Sequence, residues 1–229
     1  MGTIVASTII NKAATQLLDQ GNTRWTRTEL LGWLNDGQRQ ITLMSPQSTN
    51  KVSTVQLAVG TRQTIPADGW RLLEVVRYMG KNGTTPGRAT RLISRELLDA
   101  YKPNWHAASK TDAPINFLFD DQDQTAFYVF PPNTGNGYVE MNYSPVLADL
   151  PNENATIALN DIYQTTLLDY ILYRANSKDA EYAPGLQLAT GYLTTFLGAL
   201  QVREKNDKDN SPNAGLSANK VPGSIGGES

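Results

Sequence analysis

The spacing of apolar and polar positions changes twice along the chain. From Thr3 to Asp19 the apolar residues Ile4, Ile9, Ile10, Ala13, Ala14, Leu17 and Leu18 recur at helical spacing. That pattern predicts a helix over 3–20 with one buried face, ended by Gly21 and Asn22. A second helix is predicted over 26–44. Thr26 followed by Glu29 is a capping-box signature, in which each side chain satisfies a backbone N–H at the helix start. Leu30, Leu31, Trp33, Leu34, Ile41 and Met44 supply its apolar face, and Ser45-Pro46 stops it. Gly32 and Gly37 weaken it, by about 1 kcal/mol each relative to alanine. The short link makes the two helices antiparallel neighbours.

In the middle the period shortens. Val52, Val55, Leu57 and Val59 give a strand of imperfect register. "QTIPADG" is a turn-rich link, and a strand is expected around Leu72–Met79. "GKNGTTPGR" is a loop, "ATRLIS" a short strand, and Ser94 the cap of a short helix in "SRELLDAY". "KPNWHAASKTDAP" reads as irregular. "INFLFDD", "TAFYVFPP" and "GYVEMNYSP" then read as three strands in series, joined by the turn clusters "DDQDQ" and "PPNTGNG". Pro131 and Pro132 have no N–H to give a ladder, so the second of these strands is expected to end there. The series is expected to be an antiparallel meander.

After the connector "SPVLADLPNENATIAL", helical spacing returns. One helix is predicted over 161–182, with Asp161 as cap and Ile162, Leu167, Leu168, Ile171, Leu172 and Ala175 on its apolar stripe. Another is predicted over 186–204, carrying Leu186, Leu188, Ala189, Leu193, Phe196, Leu197 and Leu200. Helices at both ends bracket the β segments, which makes the fold class α+β. The terminal helices are expected to form a bundle, with a central antiparallel β module inserted at 51–145. One folded unit is expected over 1–205, followed by an extended C-terminal tail over 206–229, where apolar residues give way to Asn, Ser, Gly and Pro.

Composition narrows the chemistry. Lys and Arg number 20 against 22 Asp and Glu, a net charge of -2. That balance argues against a nucleic-acid binder, which gains affinity by displacing counterions with a basic surface. The absence of cysteine excludes disulfides, thiolate metal sites and cysteine nucleophiles. No signal peptide is read at the N-terminus, and the longest apolar runs fall short of a membrane span.

Catalytic signals are weak. His106 in "NWHAASK" is the sole histidine, and a loop histidine beside Trp105 is more often a packing residue than a general base. "GKNGTTPGR" lacks the spacing that places a lysine on phosphate. Asp120, Asp121 and Asp123 form a carboxylate cluster without the further ligands of a calcium loop. Asp19, Glu29 and Asp36 could pair as in a glycosidase, but Glu29 is better explained by the helix cap. Trp25 and Trp33 flank the second helix start near Arg24, Arg27 and Arg39, a modest basic face at most. Tyr163, Tyr170, Tyr173, Tyr182 and Tyr192 are amphipathic anchors that suit a core rim or a wet interface. No catalytic residue, metal ligand or cofactor site is assigned. The candidate contact residues are Trp25, Tyr163, Tyr170 and Tyr192, with Val221, Pro222 and Ile225 in the tail.

Three segments together resemble head-to-tail adaptor (connector) proteins of short-tailed bacteriophages, of the tail tubular protein A-like kind. "RWTRTELLGWLNDGQRQI" resembles their early helix, "PINFLFDDQDQTAFYVFPPN" their central hairpin, and "DIYQTTLLDYILYRANSKDAEY" the helix that follows. The resemblance covers most of Arg24–Tyr182. It implies a structural, non-enzymatic component of the virion, assembled in the host cytoplasm and placed at the head–tail junction. It also implies a homo-oligomeric ring of about twelve copies under the portal protein. Such a ring extends the DNA channel for genome ejection and gives the tail nozzle protein a docking platform. Genomic DNA would pass without sequence-specific binding, and no membrane is involved. An exposed strand edge could pair with a neighbour and close the ring. The tail is expected to bind portal subunits as an extended strand, with Val221 and Ile225 as its apolar plugs. The alternatives are a tail-associated cell-wall hydrolase, another head-completion or tail component, or a DNA-binding module.

Overall fold

Thr26 opens the second helix as its sequence predicts. Its hydroxyl accepts the Glu29 N–H at 3.3 Å and the Glu29 carboxylate accepts the Thr26 N–H at 3.2 Å. In the computed structural model, which describes residues 2–178 and 183–209, this helix is α2 (Arg27–Met44). It follows α1 (Ala6–Gln16). The 3–20 helix is therefore shorter than its apolar pattern. It begins without a side-chain cap because the Ala6 and Ser7 N–H groups donate to the carbonyls of Ala155 and Glu153, at 2.9 and 2.7 Å. It ends before Gly21 because Leu18 turns to a positive φ of 55°. The helix foreseen over 161–182 starts with a 3-10 turn at Asp161–Tyr163, capped by Asn160, and continues as α4 (Gln164–Lys178). The last helix, α5, runs Ala183–Asp209. It thus crosses the tail boundary expected at 206, and Arg203 lies 3.6 Å from Asp207, one turn on.

Helices α1, α2 and α5 each pack against α4. Ile9, Ile10, Leu30, Leu34, Ile41, Leu167, Ile171, Leu172, Phe196 and Leu200 build one buried core there. The connector 146–160 is strapped across this bundle. Asn35 of α2 accepts the Leu150 N–H at 3.0 Å, Gln38 accepts the Ala158 N–H at 3.0 Å, and Ile157 donates to the Ile4 carbonyl at 2.9 Å. Asp161 completes the strap by accepting the Thr3 N–H at 2.7 Å and the Thr3 hydroxyl at 2.6 Å.

The β module is two sheets around a shared core. β1 (Lys51–Gln56), β7 (Tyr138–Pro145) and β3 (Gly69–Tyr78) form one sheet in that order. β2 (Gly60–Thr64), β6 (Ala126–Asn133), β5 (Asn116–Phe119) and β4 (Arg91–Leu92) form the other. Leu72, Val75, Val139, Met141 and Tyr143 from the first meet Phe117, Phe127 and Val129 from the second. The expected meander is therefore corrected. β5 and β6 form the hairpin, but β7 leaves it to lie between β1 and β3. The ladders between these strands are antiparallel apart from the two-residue β4–β5 pair, which is parallel.

β6 runs through its prolines and ends one residue beyond them, at Asn133. Pro131 and Pro132 sit where the β2–β6 register breaks, between the Gly60–Asn133 and Arg62–Tyr128 pairs. No ladder bond is asked of their nitrogens. The other edge uses carbonyls: Ile115 N–H donates to Phe130 and Thr111 N–H to Pro132, both at 2.8 Å.

Helix α3 (Arg95–Tyr101) starts at Ser94, whose hydroxyl accepts the Leu97 N–H at 3.2 Å. Leu98 closes with Trp105 and Leu118 over the outer side of β5. Where bundle meets sandwich, the buried Ser144 hydroxyl of β7 lies 3.0 Å from Thr49 Oγ1 and accepts Trp70 Nε1 at 2.8 Å.

Candidate functional site

The sequence singles out a set of aromatic anchors. Trp25 is buried and donates its Nε1 hydrogen to the Ala175 carbonyl at 3.3 Å, tying the start of α2 to the end of α4. The Arg24 guanidinium lies over its ring, 4.9 Å from the centroid. Tyr170 is buried against Phe196, with centroids 5.2 Å apart, and its hydroxyl accepts from Arg174 at 3.4 Å. Tyr163 is 2% exposed, with Arg203 over its ring at 4.3 Å. These three rings belong to the protomer's own core. Tyr192 is half-buried at the core rim, as are Trp33 and Tyr173. Sequence cannot separate the two environments, because a tyrosine at helical spacing fits both. Val221, Pro222 and Ile225 lie outside the described residues, as does Tyr182.

Most of the candidate catalytic groups have structural work. Asp19 accepts the N–H groups of Thr23, Arg24 and Trp25 at 2.9–3.0 Å. Those bonds, led by the one from Trp25, hold its pKa below the ordinary carboxylate value. The Lys178 ammonium, 2.6 Å from Glu29, does the same for that residue, helped by the Thr26 N–H. Asp36 pairs with Arg39 at 2.7 Å and Arg174 at 3.5 Å. His106 stacks on Trp105 with centroids 3.6 Å apart, and its Nδ1 is 2.8 Å from the Thr61 hydroxyl. Asp123 orders the β5–β6 turn through Thr125, and Asp120 does so through the Gln122 N–H. In the 81–86 loop Lys81 meets Asp112 at 2.7 Å, while Asn82 accepts the Thr84 and Thr85 N–H groups. Among the described residues no cluster of three His, Cys, Asp or Glu side chains could hold a metal ion, and no helix is long and apolar enough to cross a membrane.

What the surface offers is contact area. A cleft of about 440 Å³ lies between the end of α2 and the β5–β6 turn, lined by Leu43, Met44, Arg71, Phe119, Asp120 and Asp121. A groove of about 510 Å³ runs between the start of α4 and the end of α5, lined by Ile162, Tyr163, Thr166, Ala199, Val202 and Arg203. The hydroxyl of Tyr163, one of its lining residues, is buried without a hydrogen-bond partner. Ile162 and Val202 are each 60% exposed. Sequence reading placed Ile162 on the apolar stripe of its helix. It could not show that α5 leaves this end of the stripe open.

The family comparison agrees with a contact-making chain. No curated protein sequence matches it. The family model described as SU10 adaptor protein matches residues 6–217, spanning the bundle, the sandwich and the whole of α5. That family is one of bacteriophage structural adaptors rather than enzymes. The chain belongs to the SU10 adaptor protein family.

Proposed function

We propose that the chain is the head-to-tail connector adaptor of a short-tailed bacteriophage. It sits in the virion as a ring of about twelve copies beneath the portal protein. There it extends the DNA channel and gives the tail nozzle its docking platform. The match to the adaptor family over nearly the whole chain is the observation that carries this reading. The side chains support it from below: Asp19, Glu29, Asp36, Asp120 and Asp123 are engaged in capping, turn formation or ion pairing, and His106 stacks on Trp105. In this reading residues 210–229 grip the portal, with Val221, Pro222 and Ile225 as contact points. The near-neutral charge suits a channel wall that DNA slides past, since each phosphate contact would slow its passage.

Electron microscopy of tailed particles carrying a label on this chain tests the reading. The label is expected at the junction between portal and tail. A label at the distal tail or inside the head overturns it. Deleting 210–229 is expected to strip the chain from the portal, and normal occupancy would remove the tail from the account.

A further inference from the structure

The last turn of α2 leaves its apolar side chains uncovered. Leu43 is 56% exposed and Met44 is exposed too, although earlier turns of the same helix build the bundle core. Both line the cleft of about 440 Å³, with exposed Phe119 of β5 on another wall. Leu43 is also a wall of a smaller hollow of about 230 Å³, shared with Thr42, Trp70, Val146 and Leu147. Val146 is exposed there. The two hollows adjoin along Leu43 and make one track where the bundle meets the sandwich. Apolar side chains gathered on a surface in this way mark a place that takes up polypeptide.

The chain itself supplies the occupant. Glu204 places α5 at the edge of the cleft, and the described helix stops at Asp209, five residues and about 7.5 Å further on. Residues 210–229 follow, outside the described residues. The eleven residues from Asp209 to Lys220 reach about 36 Å at full extension, far more than the way back to Glu204. The charges match as well. Asp120, Asp121 and Glu204 stand in the cleft against one cation, Arg71. Lys220 is the one basic residue of 210–229, and Val221 beside it and Ile225 are apolar. A cation next to an apolar side chain fits a cleft with surplus negative charge and apolar walls. The tether lowers the demand on the contact, because a short linker gives a local concentration on the order of millimolar.

We propose that, in the unassembled chain, residues 210–229 lie back along this track of their own protomer. Lys220 sits at Asp120 and Asp121, Val221 against Leu43 and Met44, and Ile225 toward the hollow beside Trp70. The contact is autoinhibitory, since a segment seated on its own body is withheld from other chains. The inference rests on the reading above, in which this segment grips the portal, and adds where the segment lies before the portal takes it.

The chain has no cysteine, so an introduced pair reports the contact without background. The full chain carrying Met44→Cys and Val221→Cys is purified and treated with diamide, which oxidises two neighbouring thiols to a disulfide. A cross-linked monomer is expected, forming at least tenfold faster than with Val59→Cys and Val221→Cys. Val59 is exposed and lies against Gly135, past the end of β6 remote from the cleft. Equal rates overturn the proposal. Cross-linked dimers in place of monomers put the segment on another copy and overturn it too. Asp120 already accepts the Gln122 N–H, so the charge is reversed at Asp121. Asp121→Lys is expected to slow the Met44–Val221 cross-link about threefold, and Lys220→Asp added to it to restore the rate. A rate that ignores Asp121→Lys, or that Lys220→Asp fails to restore, overturns the proposal. Should Met44→Cys lower the melting temperature, Leu43→Cys gives the same readout at a more exposed position. The oxidised protein separates this inference from the one beneath it. It is expected to stay out of particles until reduced. Normal entry of the locked protein overturns the portal grip of this segment, while the cross-link still places it on its own body.

Discussion

Leu18 takes a φ of 55° at the C-terminal end of α1, in the left-handed region where a side chain with a Cβ is strained. Glycine is the usual occupant of such a position, because the turn lets the last N–H groups reach back to helix carbonyls. The bonds are made here all the same: Leu18 N–H donates to Thr15 at 3.2 Å and Asp19 N–H to Ala14 at 3.0 Å. The leucine side chain gains nothing in return, being 93% exposed. Leu18→Gly is therefore expected to stabilise the purified protein by about 1 kcal/mol, measured as a rise in thermal or urea midpoint. An unchanged or lower midpoint would mean that the side chain has contacts beyond those described. The neighbouring Asn22, with a φ of 51°, is of a type that tolerates this region. Asp19 then gathers three N–H groups of the α1–α2 link, which is why this link holds two tight corners within a few residues.

Helix glycines make the same kind of argument one level up, in α2. Gly32 faces open space, whereas a Cβ at Gly37 would lie 3.1 Å from Tyr170 Cδ1 and 3.3 Å from Leu167 Cδ2. Gly32→Ala is expected to stabilise by about 1 kcal/mol through helix propensity alone. Gly37→Val is expected to destabilise by about 1–3 kcal/mol, because α4 must move away. Paired urea titrations decide it, and equal effects at the two sites would show that α2 and α4 do not interlock there. The sequence shows both glycines but not this difference, since contact with α4 is a tertiary fact. The same limit governs the β module. Local signals were legible: the Thr26–Glu29 box, the Ser94 cap and the β5–β6 hairpin all appear where the residues call for them. β2 was not legible, because Gly60–Thr64 has no apolar alternation. Its one buried side chain, Gln63, is satisfied by the carbonyls of Ala58 and Gly60. Nor was the crossing of β7 into the other sheet, which depends on partners far away in sequence. Of the candidate contact residues, Tyr163 and Tyr170 read from the sequence as amphipathic anchors that suit a core rim or a wet interface alike; in the fold both side chains are buried.

Across the whole molecule, depressed carboxylates sit at the joints. Asp161 ties the N-terminal segment to the end of the strap, Glu29 ties α2 to Lys178 of α4, and Asp68 joins Lys51 and Tyr143 within the three-stranded sheet. Asp112 holds Lys81, and Asp123 holds its turn and Arg62. With Asp19, all are lowered from ordinary values of 3.8 for aspartate and 4.5 for glutamate, mainly by the hydrogen bonds each accepts. A carboxyl whose folded pKa is depressed takes up protons more readily when unfolded, so its contribution to stability is complete above the ordinary value. It is lost as the pH falls through the depressed one. Asp169 has the opposite sign, since burial raises its pKa and acid relieves the cost of its charge. Six joints against one half-buried carboxyl decide the direction. The melting temperature is expected to stay level down to the ordinary carboxylate values and then to fall as the pH drops further. Asp161→Asn should flatten the fall, because one of the six is gone, and should lower the neutral plateau because the Thr3 clamp weakens. Asp169→Asn should raise the plateau and steepen the fall, since the raised carboxyl no longer offsets the others. Melting curves from neutral to acidic pH for the three proteins check both signs, and a stability that rises into acid would place the dominant titrating group at Asp169 rather than at the joints.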